Sequence, residues 1–353
     1  MEKIVQTQAG HAQGGDAMTR TWNKIALVEA EALAGEIYGF SGSARPLSSE
    51  RDDTFRLTAA DGREFTLKIA NPAEEPAALD FQDGALVHLE EFAPAVPVPR
   101  LVPTRDGARS FTLQTAEGGR IIRLLTFLQG DLLYRTPLSA AQSRNVGRAL
   151  AELGLGLEDY RGRPPAGKLM WDISHVLDLG AYIGFVGEER RPRAEAVLRE
   201  VEAAGTQIAA LDRRQIIHND FNPHNILMDP ADTDQVTGII DFGDMVHAPL
   251  VNDLAVALSY HLATDDWADR AGAFVQGFDA ARPLASAEME LLPVLTRARL
   301  AMSIIIAEWR SSQFPENRDY IMRNHASAWA GLQNISDLTA DGLSALVRNT
   351  SGA

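Results

Sequence analysis

The stretch Ile216-Ile217-His218-Asn219-Asp220-Phe221-Asn222-Pro223-His224-Asn225-Ile226-Leu227-Met228, continued after a polar turn by Val236-Thr237-Gly238-Ile239-Ile240-Asp241-Phe242-Gly243-Asp244, decides the fold of this 353-residue chain. Ile226–Met228 and Val236–Ile240 are apolar β-forming runs, and the Asp-rich segment 229–235 between them carries turn residues. That pattern predicts a hairpin. Antiparallel strands return the chain to the edge it left. Asn225, just before the first strand, and Asp241, just after the second, therefore fall at one end of the ribbon, one strand spacing (~4.8 Å) apart. Asp220 lies on the loop leading to that same end.

Two carboxylates and an amide meeting on a loop form a hard-oxygen set suited to Mg²⁺, which takes one or two carboxylates and keeps water and substrate oxygens. The spacing Asp-x-x-x-x-Asn followed by Asp-Phe-Gly is similar to the catalytic machinery of protein kinases. There the first Asp accepts the proton of the attacking hydroxyl, and the Asn and second Asp hold the metal. Taken singly, each residue has an ordinary role: Asn222-Pro223 as a turn, Asp220 as a surface or capping residue, Asp241 as a strand end. The hairpin between them is what joins them into a site. Asp253 anchors the start of a helix carrying Leu254, Ala257, Leu258 and His261, either as its N-cap or by bonding the catalytic-loop backbone.

Working outward, the segment before residue 129 is a small mixed unit. Trp22–Tyr38 has apolar residues at helical spacing and stops at Gly39. Asp53–Thr58 and Glu64–Ala70 read as strands joined by Ala60-Asp61-Gly62. Asp80–Phe92 is a helix, Pro94–Pro103 an extended connector, and Phe111–Thr115 and Arg120–Phe127 two more strands. Lys68 is a lone charge in an apolar strand and the cation expected to meet ATP phosphates. Ser48 and Ser49 sit where a phosphate-covering loop belongs, and Thr126–Leu128 where adenine meets backbone. No complete Walker sequence Gly-x-x-x-x-Gly-Lys-Ser/Thr occurs, because the partial match Gly162–Lys168 is followed by Leu169, which excludes a P-loop ATPase. After Gln129-Gly130-Asp131 the chain reads as mostly helical. Ser139 opens a helix there with a capping pattern, and the helices enclose the β-like island.

With 33 Lys and Arg against 48 Asp and Glu, the formal charge is −15. A duplex or an anionic bilayer repels such a body, so nucleic-acid and membrane partners are not expected. The chain has no Cys. That removes thiol chemistry and thiolate zinc sites, and fits a reducing, cytoplasmic location. Residues 1–17 lack a basic start and an apolar core, and read as a disordered leader rather than a signal peptide. The expected division is a leader at 1–18, a nucleotide-binding lobe at 19–128 and a catalytic lobe at 129–353.

On these residues the chain resembles the aminoglycoside phosphotransferase and choline kinase superfamily, from about Trp22 to Leu338. The matching elements are Lys68, the Val96-Pro97-Val98-Pro99 connector, the junction Leu124–Gly130, His218-x-Asp220-x-x-x-x-Asn225, Ile240-Asp241-Phe242-Gly243 and Pro249-Leu250-x-x-Asp253-Leu254-Ala255. Ser49-Glu50-Arg51-Asp52, Asn219–Asn222, Asp241–Met245 and Ala307-Glu308-Trp309 are similar to its hydroxylysine kinase branch. The resemblance implies an α+β, protein-kinase-like, two-lobed fold. It also implies ATP and Mg²⁺, and phosphorylation of a hydroxyl on an amino-bearing small molecule. Asp220 would be the base, Asn225 and Asp241 the metal ligands, and His218 and Asp253 structural supports.

An acidic chain handling a phosphate donor suggests a cationic acceptor, with Asp244 and Glu308 to receive its amine and Trp309 as a wall. Two departures stand out. Gln82 replaces the helix Glu that usually pairs with the strand Lys, leaving Lys68 to hydrogen bonds or to another carboxylate such as Asp83. Thr54 stands where the branch often has Asn. Two rival readings follow: a catalytically silent nucleotide-binding protein, on the strength of Gln82, and a metal-dependent hydrolase using His218, Asp220, His224 and Asp241.

Overall fold

The computed structural model describes residues 22–47, 49 and 52–350. An antiparallel sheet is built from β1 (Gly42–Leu47), β2 (Asp52–Ala59), β3 (Glu64–Ala70), β4 (Leu101–Val102), β5 (Phe111–Thr115) and β6 (Gly118–Thr126). Its order is β1-β2-β3-β6-β4, with β5 also on β6. Strand alternation sorts its two faces. Phe55, Leu57, Leu67, Ile69, Ile122 and Leu124 form one apolar face, closed by Ala30, Ala34 and Ile37 of α1 (Leu27–Tyr38). The register Thr54↔Lys68↔Arg123 lines a polar row across the other face. The Ala60-Asp61-Gly62 turn forms as its sequence predicts, with Gly62 at φ +84°. Edge strand β1, with Pro46 inside it, is not legible as a strand from its sequence.

The second helix, α2 (Pro76–Phe92), does not belong to that small core. Its Phe81, Ala85, Leu86 and Leu89, with Val96 and Val98 of the connector, pack into the large core of the helical lobe. Tyr160 ties them down, its hydroxyl donating to the Phe81 carbonyl at 2.6 Å. The connector also reaches the island, since Pro97 accepts from the Ile239 N–H at 2.8 Å.

The remaining chain is mostly helical. Short ribbons are made by β7 (Asp131–Leu132), β8 (Arg214–Ile217), β9 (Ile226–Met228), β10 (Val236–Ile239) and β11 (Val246–Pro249). Around them lie α3 (Ala140–Gly156), α4 (Arg191–Ala203), α5 (Gly205–Ala209), α6 (Leu250–Leu258), α7 (Trp267–Ala281), α8 (Ser286–Gln313), α9 (Arg318–Ile321), α10 (His325–Asn334) and α11 (Ala340–Asn349). Ser139 caps α3 by accepting from the Gln142 N–H at 2.9 Å. Where α3 meets α7, a Cβ on Gly147 would collide with the Phe274 carbonyl, and one on Gly277 with the Arg144 carbonyl. Glycine at both positions lets the two backbones touch. No described helix is long and apolar enough to cross a membrane.

Candidate active site

β9 and β10 pair antiparallel with Ile226 opposite Ile239, and the ladder continues as the Ile240 N–H donates to the Asn225 carbonyl at 2.9 Å. Asn225 and Asp241 thus emerge at one end of the ribbon, as the hairpin reading requires. Asp220 joins them directly. The Asn225 Nδ2 donates to the Asp220 carboxylate at 2.8 Å and to its carbonyl at 2.9 Å, and the Asn222 Nδ2 donates to the other carboxylate oxygen at 2.8 Å. With its amine engaged on Asp220, the Asn225 amide leaves its oxygen as the atom that can face a cation.

The loop is fixed from behind. Asn219 and Asp241 both hold positive φ, 62° and 65°. Asn and Asp adopt this region more readily than other residues with a side chain. Buried Asp253 accepts from the His218 N–H at 3.0 Å and from the Asn219 N–H at 2.7 Å. Helix α6 starts at Leu250 without a side-chain cap, so Asp253 acts from the first turn as a clamp on the catalytic loop. Of its two expected roles, the N-cap is set aside and the loop-bonding role is the one present.

His218 is fully buried, and burial lowers its pKa, so the ring is neutral. Its Nδ1 accepts from the Asp220 N–H at 3.2 Å, so the proton sits on Nε2, which donates to the Ile240 carbonyl at 3.2 Å. That one ring binds the Asp220 loop to the strand ending at Asp241. Both nitrogens are spent, which removes His218 from the hydrolase reading. His224 instead lies against Tyr134, with ring centres 4.3 Å apart. Among the described residues no group of three or more His, Asp or Glu side chains is placed to hold a metal ion.

The electrostatics point at Asp220. Its pKa is raised to about 7, by burial first and then by the negative charge of Asp244, with Arg299 opposing and Asp241 adding. Asp220, Asp241 and Asp244 act on one another here, and the surplus negative charge suits a divalent cation or an ammonium. The donor set that fits Mg²⁺ is the Asn225 amide oxygen with the Asp241 carboxylate, hard oxygens with room for water and phosphate.

Arg299 is the residue that sequence reasoning missed. The residue is 2% exposed, and its guanidinium donates to the Trp171 carbonyl at 2.9 Å, lies 5.0 Å from the Trp171 ring centre and reaches within 3.9 Å of Asp220 Oδ1. The available signal was a pair of arginines, Arg297 and Arg299, in the mostly apolar run from Leu295 to Ala307, charges that must find partners if the helix is buried.

In the sheet lobe, Lys68 Nζ lies 3.4 Å from Asp52. Asp83, the carboxylate expected for it, pairs instead with Arg123 at 2.7 Å, and Gln82 accepts from the same guanidinium at 3.3 Å. The register explains this correction. Arg123 is directly opposite Lys68 and, being longer, takes the α2 carboxylate, so Lys68 turns to β2. Thr54 lies opposite Lys68 on the other side. The Ser49 hydroxyl accepts from the Asp52 N–H at 3.2 Å, while Ser48 lies outside the described residues. The Thr126 and Phe127 N–H groups are spent on the Arg100 and Glu64 carbonyls, at 2.9 and 3.1 Å.

Glu308 and Trp309 are not joined to this cluster. Glu308 accepts from His325 Nε2 at 2.7 Å and from the Gly187 N–H at 2.8 Å, with Arg190 3.7 Å away. It sits about two and a half helical turns, roughly 13 Å, beyond Arg299 and on the opposite side of α8. Those contacts tie Glu308 to the late helices and to the Gly187 turn. Trp309 packs on Tyr182, ring centres 4.4 Å apart.

Comparison with known proteins agrees with the geometry. A model of the phosphotransferase enzyme family matches residues 43–292. The chain is 28% identical over 338 residues to hydroxylysine kinase of Mus musculus, covering 88% of this chain and 89% of that one. It is 30% identical over 279 residues to homoserine kinase of Acidiphilium cryptum, covering 74% and 78%. In three dimensions it matches a microcompartment-associated aminopropanol kinase with a TM-score of 0.69 at 20% identity, over 90% of this chain and 99% of that one.

Proposed function

The chain belongs to the phosphotransferase enzyme family and acts on an alcohol group of a small molecule; from that premise we propose that it moves the γ-phosphate of Mg·ATP onto a hydroxyl of an amino-bearing metabolite. The observation that carries this reading is the Asn225 amine locked onto the Asp220 carboxylate at 2.8 Å, with Asp241 on the adjoining strand end. In this reading Asp220 aligns the acceptor hydroxyl and takes its proton as the oxygen bonds to the γ-phosphorus. The bond from that phosphorus to the bridging oxygen breaks, and ADP leaves. Lys68 contacts the α- and β-phosphates, Ser48 and Ser49 cover them, and the Thr126–Leu128 segment meets the adenine. Asn225 and Asp241 hold Mg²⁺, which when bound neutralises the phosphate charge. Phosphoryl transfer asks mainly for this alignment and neutralisation.

The amino group of the acceptor is assigned to Asp244. Support comes from the carboxylate excess around Asp220 and from the relatives' names, hydroxylysine kinase and homoserine kinase. An ammonium beside Asp244 offsets the charge that raises the Asp220 pKa, so acceptor binding itself favours the ionised base. The cytoplasm is the proposed location, on the absence of Cys. The test is ADP release with ATP and GTP over hydroxy-amino acids, amino alcohols and aminoglycosides. Turnover of a cationic acceptor supports the assignment. Thermal stabilisation by ATP with no ADP formed from any acceptor would return the silent reading.

A further inference from the structure

A lysine meets a phosphate best when a counter-charge already holds its ammonium, because the flexible four-carbon arm otherwise samples many rotamers. The two α2 positions from which that counter-charge was expected are both engaged. Asp83 Oδ1 accepts from Arg123 at 2.7 Å, and the Gln82 amide oxygen accepts from the same guanidinium at 3.3 Å. Asp83 and Arg123 are buried, and opening a buried pair to serve a second cation leaves a charge uncompensated.

Strand β2 supplies a carboxylate instead. Thr54 is directly opposite Lys68, and Asp52, two residues earlier, opposes Ala70. Residues two apart on a strand share a face, so Asp52 is the diagonal neighbour of Lys68, about 7–8 Å away at the backbone and within reach of a long side chain. Asp52 Oδ2 lies 3.4 Å from Lys68 Nζ. The adjacent Asp53 falls on the other face, where Arg120 meets it at 2.8 Å, the Ile25 N–H at 3.1 Å and Lys24 at 3.1 Å. Of these two neighbouring aspartates, alternation gives Asp52 to Lys68.

Two features distinguish this pair from a contact that merely holds the sheet. The Asp52 N–H donates to the Ser49 hydroxyl at 3.2 Å, which ties the carboxylate to the segment assigned to the ATP phosphates. The Lys68 side chain also keeps 23% of its exposure while that of Asp52 keeps 9%. An ion pair with one partner still in water contributes little to stability. A fixed carboxylate behind a half-open ammonium instead aims that ammonium outward, and orientation made before binding is not charged against the ligand. Because α2 packs into the core of the helical lobe, a carboxylate on β2 also keeps the lysine referenced to its own sheet.

We propose that Asp52 is the positioning residue for Lys68, presenting its ammonium to the ATP phosphates in place of an α2 carboxylate, with Arg123 as the reason α2 does not do so. This role rests on the reading of Lys68 as the phosphate contact, and it is independent of the acceptor assigned to the kinase reaction.

The test is a double-mutant cycle on the full chain, read by calorimetric binding of AMP-PNP with Mg²⁺, by kcat/KM for ATP and by thermal melts. Asp52→Asn keeps the shape of the side chain and removes its charge. It should weaken AMP-PNP binding and lower kcat/KM by about tenfold or more, with Tm nearly unchanged. Asp52→Glu, which keeps the charge, should retain most of both. In a Lys68→Met background the same Asp52→Asn change should alter either quantity by less than about twofold, since no ammonium is left to position. Equal losses with and without the Lys68 ammonium, or AMP-PNP binding in Asp52→Asn as tight as in the parent, overturn the proposal. A Lys68→Met protein with parental ATP dependence sinks the phosphate assignment of Lys68 and this role with it. A damaged Lys68→Met protein beside a silent Asp52→Asn removes the Asp52 role alone.

Discussion

Arg299 Nη2 stands 3.9 Å from Asp220 Oδ1 while the rest of the guanidinium is pinned against Trp171, so the proposed base has a fixed positive charge behind it. That charge partly offsets the burial and the Asp244 repulsion that hold the Asp220 pKa near 7. Removing it disfavours the ionised carboxylate, so the acid limb of the pH–rate profile should move to higher pH in Arg299→Met. A fall in kcat of about ten- to a hundredfold is expected, with the KM for ATP little changed. Arg299→Lys should restore part of the loss. An acid limb that stays in place in a folded Arg299→Met protein would remove Arg299 from any role in tuning the base.

Asp253 offers two acceptors to two backbone donors. Asp253→Asn keeps one acceptor and sets an amide NH2 against the other N–H, in a site that is 2% exposed. The expected cost is about 2–3 kcal/mol of stability, from one buried donor left unmade. Because the clamp holds the residue before Asp220, kcat should fall further than Mg·ATP affinity. Denaturant melts combined with steady-state kinetics measure both. Equal losses in kcat and nucleotide affinity would argue for general unfolding instead.

The island was legible because its information is local. Apolar runs, a polar turn and acidic or amide residues at the strand ends fix both the hairpin and the meeting of Asn225 with Asp241. Asn225 to Asp220 follows from spacing alone. What could not be read required pairing over distance. Which cation takes the Asp83 carboxylate depends on Arg123 lying opposite Lys68, a register set by strands far apart in sequence. Arg299 meets Asp220 only once α8 has packed beneath the catalytic loop. Glu308 looked available because nothing in the sequence says that His325 and the Gly187 N–H reach it. The packing of α2 into the helical core rather than the sheet core escaped for the same reason: its apolar face is visible in sequence, but not what covers it.

The two ion pairs of the sheet lobe should separate in their effects. Arg123 and Asp83 are 3% and 5% exposed at the side chain, whereas Lys68 keeps 23% and faces Asp52. Breaking the buried pair with Asp83→Asn should cost about 3–5 kcal/mol, loosening α2 and lowering Tm. Lys68→Met should leave Tm nearly unchanged and raise the KM for ATP by at least tenfold. Thermal melts beside ATP titrations distinguish them. A Lys68→Met protein with normal ATP dependence would contradict the nucleotide assignment.

His261 supplies a pH test of the core. Burial, with Arg270 adding, lowers its pKa to about 3, and its ring stacks on Phe274 with centres 4.5 Å apart. The unfolded chain takes up a proton near the ordinary histidine value of about 6.5, whereas the folded chain does not. The stability this group contributes is therefore full above that pH and is lost as pH falls towards 3, at up to about 1.4 kcal/mol per pH unit. His261→Gln should flatten that part of the stability profile between pH 7 and 4, leaving the share due to His218. An unchanged slope in the variant would mean that His261 is protonated in the folded protein.

The most direct measurement compares Asp220→Asn with the parent protein for ADP release on a responsive acceptor, with Mg·ATP binding followed in parallel by calorimetry. The amide preserves the size of the side chain and removes its ability to take the hydroxyl proton. The account predicts nucleotide binding within about threefold of the parent and turnover lowered at least a hundredfold, the scale of a lost general base. Turnover close to the parent level, with the same acceptor and the same metal dependence, would contradict it.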